Sequence, residues 1–283
     1  MGSILGLLIT LLAASPPQQC PASGWVLPTF QGTLEQLIIA YSADGINYPS
    51  ECAVVMPVPG ETRDPSLYKD GSGMWWLVTT RIGGFQLLSS SDLKVWSAAT
   101  TVSIPVTGAV QWWAPEWVVD VDASVHVVLA VAIADTYHFQ IYEIHPTASD
   151  MSAWSAAQPI VVAGVTNLID PFVNLHSGVY SIWYKNGSSL GDIAYATSTT
   201  LLGPYTSPTV LSFGGAEEGP SVFWTGGNTW RLYFDKCGAV DSCLYTTGEL
   251  YYTTSTDNWA TWSTPVPLPT GFQAKQGTPH VYP

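Results

Sequence analysis

Hydrophobic positions in this chain come in short runs rather than at helical spacing. MWWLVTT at 74–80, VHVVLAVA at 125–132, VYSIWYK at 179–185 and TWRLYFD at 229–235 are rich in Val, Ile, Tyr, Trp and Thr. Gly, Ser, Asp and Pro bound each of them. That pattern predicts strands, and an all-β fold. A further set, FQLLSSSD at 85–92, DIAYATST at 192–199 and ELYYTTSTD at 249–257, reads as a third strand after the second. Several units then close on a tryptophan: Trp96, Trp154 and Trp262.

The runs repeat. Aligned on proline, RDPSLY at 63, WAPEWV at 113, IDPFVN at 169, EGPSVF at 218 and GTPHVY at 277 stand in register. Their prolines (Pro65, Pro115, Pro171, Pro220 and Pro279) are 50, 56, 49 and 59 residues apart. A period near 50 with several strands per unit predicts a five-bladed β-propeller. Proline is tolerated at the head of a strand, where an N–H is dispensable. The fifth unit has one strand before the chain ends at Pro283. SGWVLPTF and LEQLIIAYSADGINY, within 23–48, read as the second and third strands of a blade, and SADG parallels SSDL at 90 and STDN at 255. The N-terminal strands are therefore expected to complete the last blade and close the ring, leaving fewer open sheet edges.

Charge and composition narrow the function. Lys and Arg total 8 against 21 acidic residues, a net charge of -13, which disfavours nucleic acid or an anionic membrane as a partner. MGSILGLLITLLAAS reads as a signal peptide over 1–19, too short to span a bilayer, although it lacks a basic n-region. That leaves 20–283 as one propeller domain, secreted, with a monomer the expected state. Four cysteines fit an oxidising compartment, with Cys237–Cys243 and Cys20–Cys52 the favoured pairing on proximity. Asn186-Gly187-Ser188 is a glycosylation sequon.

Because inner strands line the axis of a propeller, the repeat gathers Asp64, Asp170 and Glu218 around one funnel. Asp64 and Asp170 directly precede the aligned proline, and the longer Glu218 sits one residue earlier. Carboxyl groups crowded at low dielectric spread their pKa values. Two carboxyls, one protonated and one ionised, are what glycosidic hydrolysis requires. Dense aromatics (13 Trp, 14 Tyr and 8 Phe) suit stacking on sugar rings.

RDPSL, WAPEW, IDPFV and EGPSVF, in this order and spacing, resemble glycoside hydrolase family 43, the five-bladed arabinosidase and xylosidase family. The resemblance implies Asp64 as general base, Glu218 as general acid, and Asp170 as the residue that raises and orients that acid. It implies inversion of configuration, with base and acid roughly 6.5–9.5 Å apart. Trp113 would flank the sugar subsite, with Trp112 as a second stacking wall, and Glu116 would point away from the funnel. No cofactor is expected in the chemistry. His280 would be the counterpart of a fifth-blade histidine that approaches a structural calcium or a water on the axis, although its flanking residues differ from the usual His-Gly. His126, His138, His145 and His176 show no ligand spacing and read as structural or exposed. Arg63 either orients the neighbouring carboxylate or faces solvent.

The expected substrate is a pentose-containing plant cell-wall carbohydrate, with galactan or arabinan cleavage as a family-related alternative. A non-catalytic sugar-binding propeller is the alternative of a different class. A sialidase would need an arginine cluster, and only Arg63, Arg81 and Arg231 are present. A fructan- or sucrose-cleaving enzyme would show a different first motif.

Overall fold

The computed structural model describes residues 20–31, 35–56, 62–135, 138–187, 191–237 and 249–282. The leader-like segment 1–19 and Cys243 lie outside them. The chain begins with β1 (Gly24–Gln31), β2 (Gln36–Ser42) and β3 (Ala53–Val55). Blade 1 follows as β4 (Ser66–Lys69), β5 (Trp75–Arg81), β6 (Gly84–Ser90) and β7 (Thr100–Ser103). Blade 2 is β8 (Ala109–Val119), β9 (Val125–Ile133), β10 (Phe139–Ile144) and β11 (Gln158–Pro159). Blade 3 is β12 (Leu168–His176), β13 (Val179–Asn186), β14 (Ile193–Ser198) and β15 (Thr209–Leu211). Blade 4 is β16 (Ala216–Gly226), β17 (Thr229–Cys237), β18 (Glu249–Ser255) and β19 (Val266–Pro267), and the chain returns as β20 (His280–Tyr282).

These strands form five four-stranded antiparallel sheets among the described residues, the architecture of a five-bladed propeller. The fifth sheet has the order β20-β1-β2-β3. Val26 faces His280 and Gly24 faces Tyr282, so the last strand of the chain pairs with the first and closes the ring as the sequence predicts. The Cys20–Cys52 disulfide ties the start of this blade to the segment leading into β3. Cys237 is disulfide-bonded as well.

Both faces of each blade are buried against neighbouring blades, which explains why the central runs are continuously apolar rather than alternating. Val127 through Ala132 on β9 are wholly buried. One hydrophobic cluster packs blade 1 on blade 2 through Val78, Phe85, Val127 and Leu129. Another packs blade 2 on blade 3 through Val128, Ile141, Ile182 and Tyr184. The tryptophans at the ends of units close these seams: Trp154 meets Phe85 edge-on at 5.2 Å, and Trp262 meets Trp183 at 5.9 Å. The SADG, SSDL and STDN turns are built alike. Ser42, Ser90 and Ser255 each donate to the aspartate two residues on, which in turn accepts backbone N–H groups.

The inner strands share a backbone irregularity at the funnel end. Asp64, Ala114, Asp170 and Gly219, each directly before its proline, have φ of 51°, 49°, 54° and 61°. In β8, β12 and β16 the pairing register shifts at this point. In the fifth unit the positive φ falls on Gln276, at 35°. Gln276-Gly277 therefore occupies the place of Asp64-Pro65, and the strand start lies two residues before the Thr278-Pro279 pair that the proline alignment implied. Gly277 fits there because a Cβ would come within 2.1 Å of the Pro28 carbonyl oxygen.

Candidate active site

The repeated kink decides which side chains reach the axis. A left-handed φ disfavours most L-residues, but short polar Asp tolerates it. Asp64 and Asp170 take this conformation, and their carboxyl groups converge at the funnel with only 6% and 8% of their surface exposed. In blade 4 the kink belongs to Gly219, so the acid comes from the preceding residue, Glu218. The structure thus brings the three sequence-predicted carboxylates to one end of the axis.

Asp64 is held by its neighbours. Thr80 Oγ1 donates to Asp64 Oδ2 at 2.5 Å and accepts the Ala114 N–H at 2.9 Å, linking blades 1 and 2 through one hydroxyl. Asp170 Oδ2 accepts the Gly219 N–H at 3.2 Å. Burial, then the charges of Glu218 and Asp64 against that of Lys185, pushes the Asp170 carboxyl up to about 7. Glu218 is clamped: Lys185 Nζ lies 3.1 Å from Oε2 and Lys275 Nζ lies 3.0 Å from Oε1. Lys275 is positioned from blade 5, where Thr29 Oγ1 donates to its carbonyl at 2.7 Å.

Sequence reasoning missed four contributors. Asp235 lies opposite Glu218 on β17, is fully buried, and accepts the Gln276 N–H at both oxygens, at 3.1 and 3.0 Å. Burial, then the Glu218 charge, pushes it up to about 8. Lys185 and Lys275 are the others in this group, and their signal was rarity, being two of only 8 basic residues. The fourth is Glu116, which does not point away from the funnel. It lines the axis, takes a hydrogen bond from Ser66 Oγ at 2.6 Å and another from Thr278 Oγ1, and burial pushes it up to about 8. The register shift between Trp113 and Glu116 explains the inversion, because it breaks simple strand alternation.

The two tryptophans diverge. Trp113 packs on Phe139 at 4.7 Å, with the Arg63 guanidinium 6.0 Å from its ring. Trp112 turns into the seam between blades 1 and 2, where its indole N–H donates to the Ile104 carbonyl at 3.1 Å. Neighbouring strand residues point to opposite faces, so Trp112 packs on protein and not on the funnel. Arg63 reaches across to Glu35 at 3.9 Å, which ties blade 1 to blade 5.

On the axis, the prolines and carboxyls enclose a space of about 10 Å³, room for about one water. Its lining includes Asp64, Glu116, Asp170 and Thr278 but not His280. His280 lies two residues past Thr278 on the innermost strand of its blade. Its Nε2 is buried without a hydrogen-bond partner among the described residues, and burial holds the imidazole down to about 4. A neutral imidazole with an orphaned buried nitrogen fits a water as its partner.

No family model and no curated protein matches the sequence. Solved structures do. The chain is similar to a GH43 endo-arabinanase from Bacillus licheniformis, at 18% identity and TM-score 0.58, over 81% of this chain and 82% of that one. It is similar to an endo-1,4-beta-xylanase from Bacteroides thetaiotaomicron, at 13% identity and TM-score 0.60, over 90% and 92%. It is also similar to an alpha-L-arabinofuranosidase from Lactobacillus brevis, at 17% and 0.57, over 72% and 73%. At such identities the likeness is one of fold, and the chain has the five-bladed propeller architecture that these hydrolases share.

Proposed function

We propose that this protein is an inverting glycoside hydrolase of the family 43 type, acting on pentose-containing plant cell-wall carbohydrate. The observation that carries this reading is the convergence of Asp64, Asp170 and Glu218 at one end of the axis, in a chain with few charges. The similar arabinanase, arabinofuranosidase and xylanase structures support an arabinoside or xyloside as substrate. A net charge of -13 suits a neutral sugar.

In the reaction, Asp64 takes a proton from water as the water oxygen attacks the anomeric carbon. Glu218 gives a proton to the departing glycosidic oxygen, so one proton enters the protein and one leaves it. Thr80 fixes the Asp64 carboxylate in one orientation. Asp170 lies next to Glu218 and orients it through the Gly219 backbone. Trp113 would form the wall of the sugar subsite. If a calcium ion binds on the axis, the oxygens of Glu116 and Thr278 would help to hold it and it would supply positive charge near the carboxylates. The Cys20–Cys52 disulfide supports secretion. No helix among the described residues is long and apolar enough to cross a membrane.

The two lysines on Glu218 favour a second reading. They hold a carboxylate in an ion pair, whereas leaving-group protonation needs a carboxylic acid, so a non-catalytic sugar-binding propeller is the alternative. Nitrophenyl arabinofuranoside and xyloside assays, with arabinan and arabinoxylan, decide between them. Asp64→Asn and Glu218→Gln should each lower kcat about 100- to 10,000-fold. Wild-type rates in both variants would refute the assignment. A wild type that binds oligosaccharide but cleaves none would establish the binding reading.

A further inference from the structure

Blade 2 carries a second cluster of functional side chains, away from the funnel. Ala114 and Glu116 mark the funnel on β8, and the strand runs on past them to Val118, which pairs with His126 of β9. On β10, Glu143 pairs with Val128, and Ile144 with Val127, so His145 follows in the place opposite His126. Residues two apart on a strand share a face, and the ladder thereby gathers His126, Glu143 and His145 on one face of the blade. His126 lies 17 residues before Glu143 in sequence, and the pairing of β9 with β10 brings it to Glu143 and His145.

The contacts converge on one atom. His126 Nδ1 is 2.6 Å and His145 Nδ1 is 2.8 Å from the same oxygen, Glu143 Oε1. Glu143 is only 2% exposed. The far nitrogen of His126 is held in turn: Ser124 Oγ lies 2.9 Å from Nε2 and Asp120 Oδ2 lies 3.7 Å from it. Asp120 is anchored from blade 3 by the Tyr180 hydroxyl. A carboxylate behind the remote nitrogen of an imidazole is the arrangement that orients histidines toward metal ions.

The geometry points to a binding site for a divalent transition metal of the zinc class, with His126 Nδ1, His145 Nδ1 and Glu143 as ligands. Two imidazoles and one carboxylate are a zinc set that leaves a position open, and the 41% exposed side chain of His145 gives access to it. Ligand atoms about 2.0–2.2 Å from a tetrahedral ion stand about 3.4 Å apart, so the side chains need to part by less than about 1 Å. Calcium does not suit this set, because it takes six to eight oxygens. Bound there, the metal would staple β9 to β10 at a distance from the sugar chemistry.

Tag-free, full-length protein is dialysed against zinc chloride, with calcium chloride as the control, and binding is read by isothermal titration calorimetry. One zinc per chain, saturating at micromolar zinc, is expected, with a rise in Tm, and an excess of calcium should not compete for that site. His145→Ala, at a partly exposed position, should keep the native circular dichroism spectrum and lose both the saturable binding and the Tm rise. Asp120→Asn should weaken binding roughly tenfold. His138→Ala, on an exposed loop, should bind as the wild type does. Cobalt in place of zinc should give the visible bands of tetrahedral nitrogen and oxygen coordination. Folded wild type without saturable zinc binding, or unchanged binding by folded His145→Ala, overturns the proposal.

Discussion

Replacing Asp235 with asparagine gives a direct reading of the electrostatics beneath the site. Asp235 is fully buried opposite Glu218, and its carboxyl is pushed from 3.8 up to about 8, first by burial and then by the Glu218 charge. A carboxyl raised in the folded state stabilises the protein fully below its unfolded pKa and loses that contribution as pH rises through the folded value. The window is therefore about pH 4 to 8. At 1.36 kcal/mol per unit, keeping Asp235 protonated in the fold while the unfolded chain ionises removes about 4 kcal/mol of wild-type stability between pH 4.5 and 7.5. Asparagine keeps an acceptor for the Gln276 N–H but introduces buried N–H donors, a cost of about 1–3 kcal/mol that does not vary with pH. Glu116 adds a slope of the same sign, but it is present in both proteins and drops out of the difference, whereas the Asp170 charge helps to raise Asp235 and is part of the effect measured. Urea unfolding at half-unit pH steps from 4.5 to 8.5 is the assay. The Asp235→Asn curve should start at or below that of the wild type and cross above it as pH rises. Parallel curves, with a constant difference across the range, would refute a raised Asp235 and with it the picture of a low-dielectric floor under Glu218.

Three further outcomes follow from the geometry. Thr80→Val removes the hydroxyl that donates to Asp64 and accepts from Ala114; it should lower kcat at least about tenfold with little change in KM, and leave a buried N–H unsatisfied at about 1–3 kcal/mol, both measured on the purified variant. Gly219→Ala forces an L-residue to a φ of 61° and sets its Cβ 2.6 Å from Gln276 Cγ; a loss of about 1–3 kcal/mol in urea unfolding is expected, with activity falling further because Glu218 is adjacent. Cys52→Ala opens a loop spanning 32 residues of sequence separation and should cost about 3–4 kcal/mol, read as a lower Tm than the disulfide-bonded protein.

Much of the architecture was legible because a propeller is a local repeat. Each blade announces itself as short apolar runs, a polar turn and a closing tryptophan, and the Ser-Asp turns recur because the same backbone bend recurs. Ring closure was readable from a fifth unit lacking strands and an N-terminus that supplied them. The short outer strands β3, β7, β11, β15 and β19 were not, since two to four residues leave no period to detect. The register of the fifth unit also escaped the proline alignment: the kink there is made by Gln276-Gly277, and the proline falls two residues later.

What the sequence by itself determined is the number of blades, the order of their strands and the candidacy of Asp64, Asp170 and Glu218, because these follow from residue types at repeated positions along the chain. The surroundings of those carboxyls were decided by tertiary structure alone. The Lys185 and Lys275 clamp, the buried Asp235, the inward turn of Glu116 and the seam that takes Trp112 all depend on which blades stand side by side. So does the meeting of His126, Glu143 and His145, separated by 17 and 2 positions in sequence. Periodicity reports which face of a strand a residue occupies. Contact between side chains on different strands and blades depends on register and closure, and a register shift such as that between Trp113 and Glu116 redirects a side chain without changing the periodic pattern.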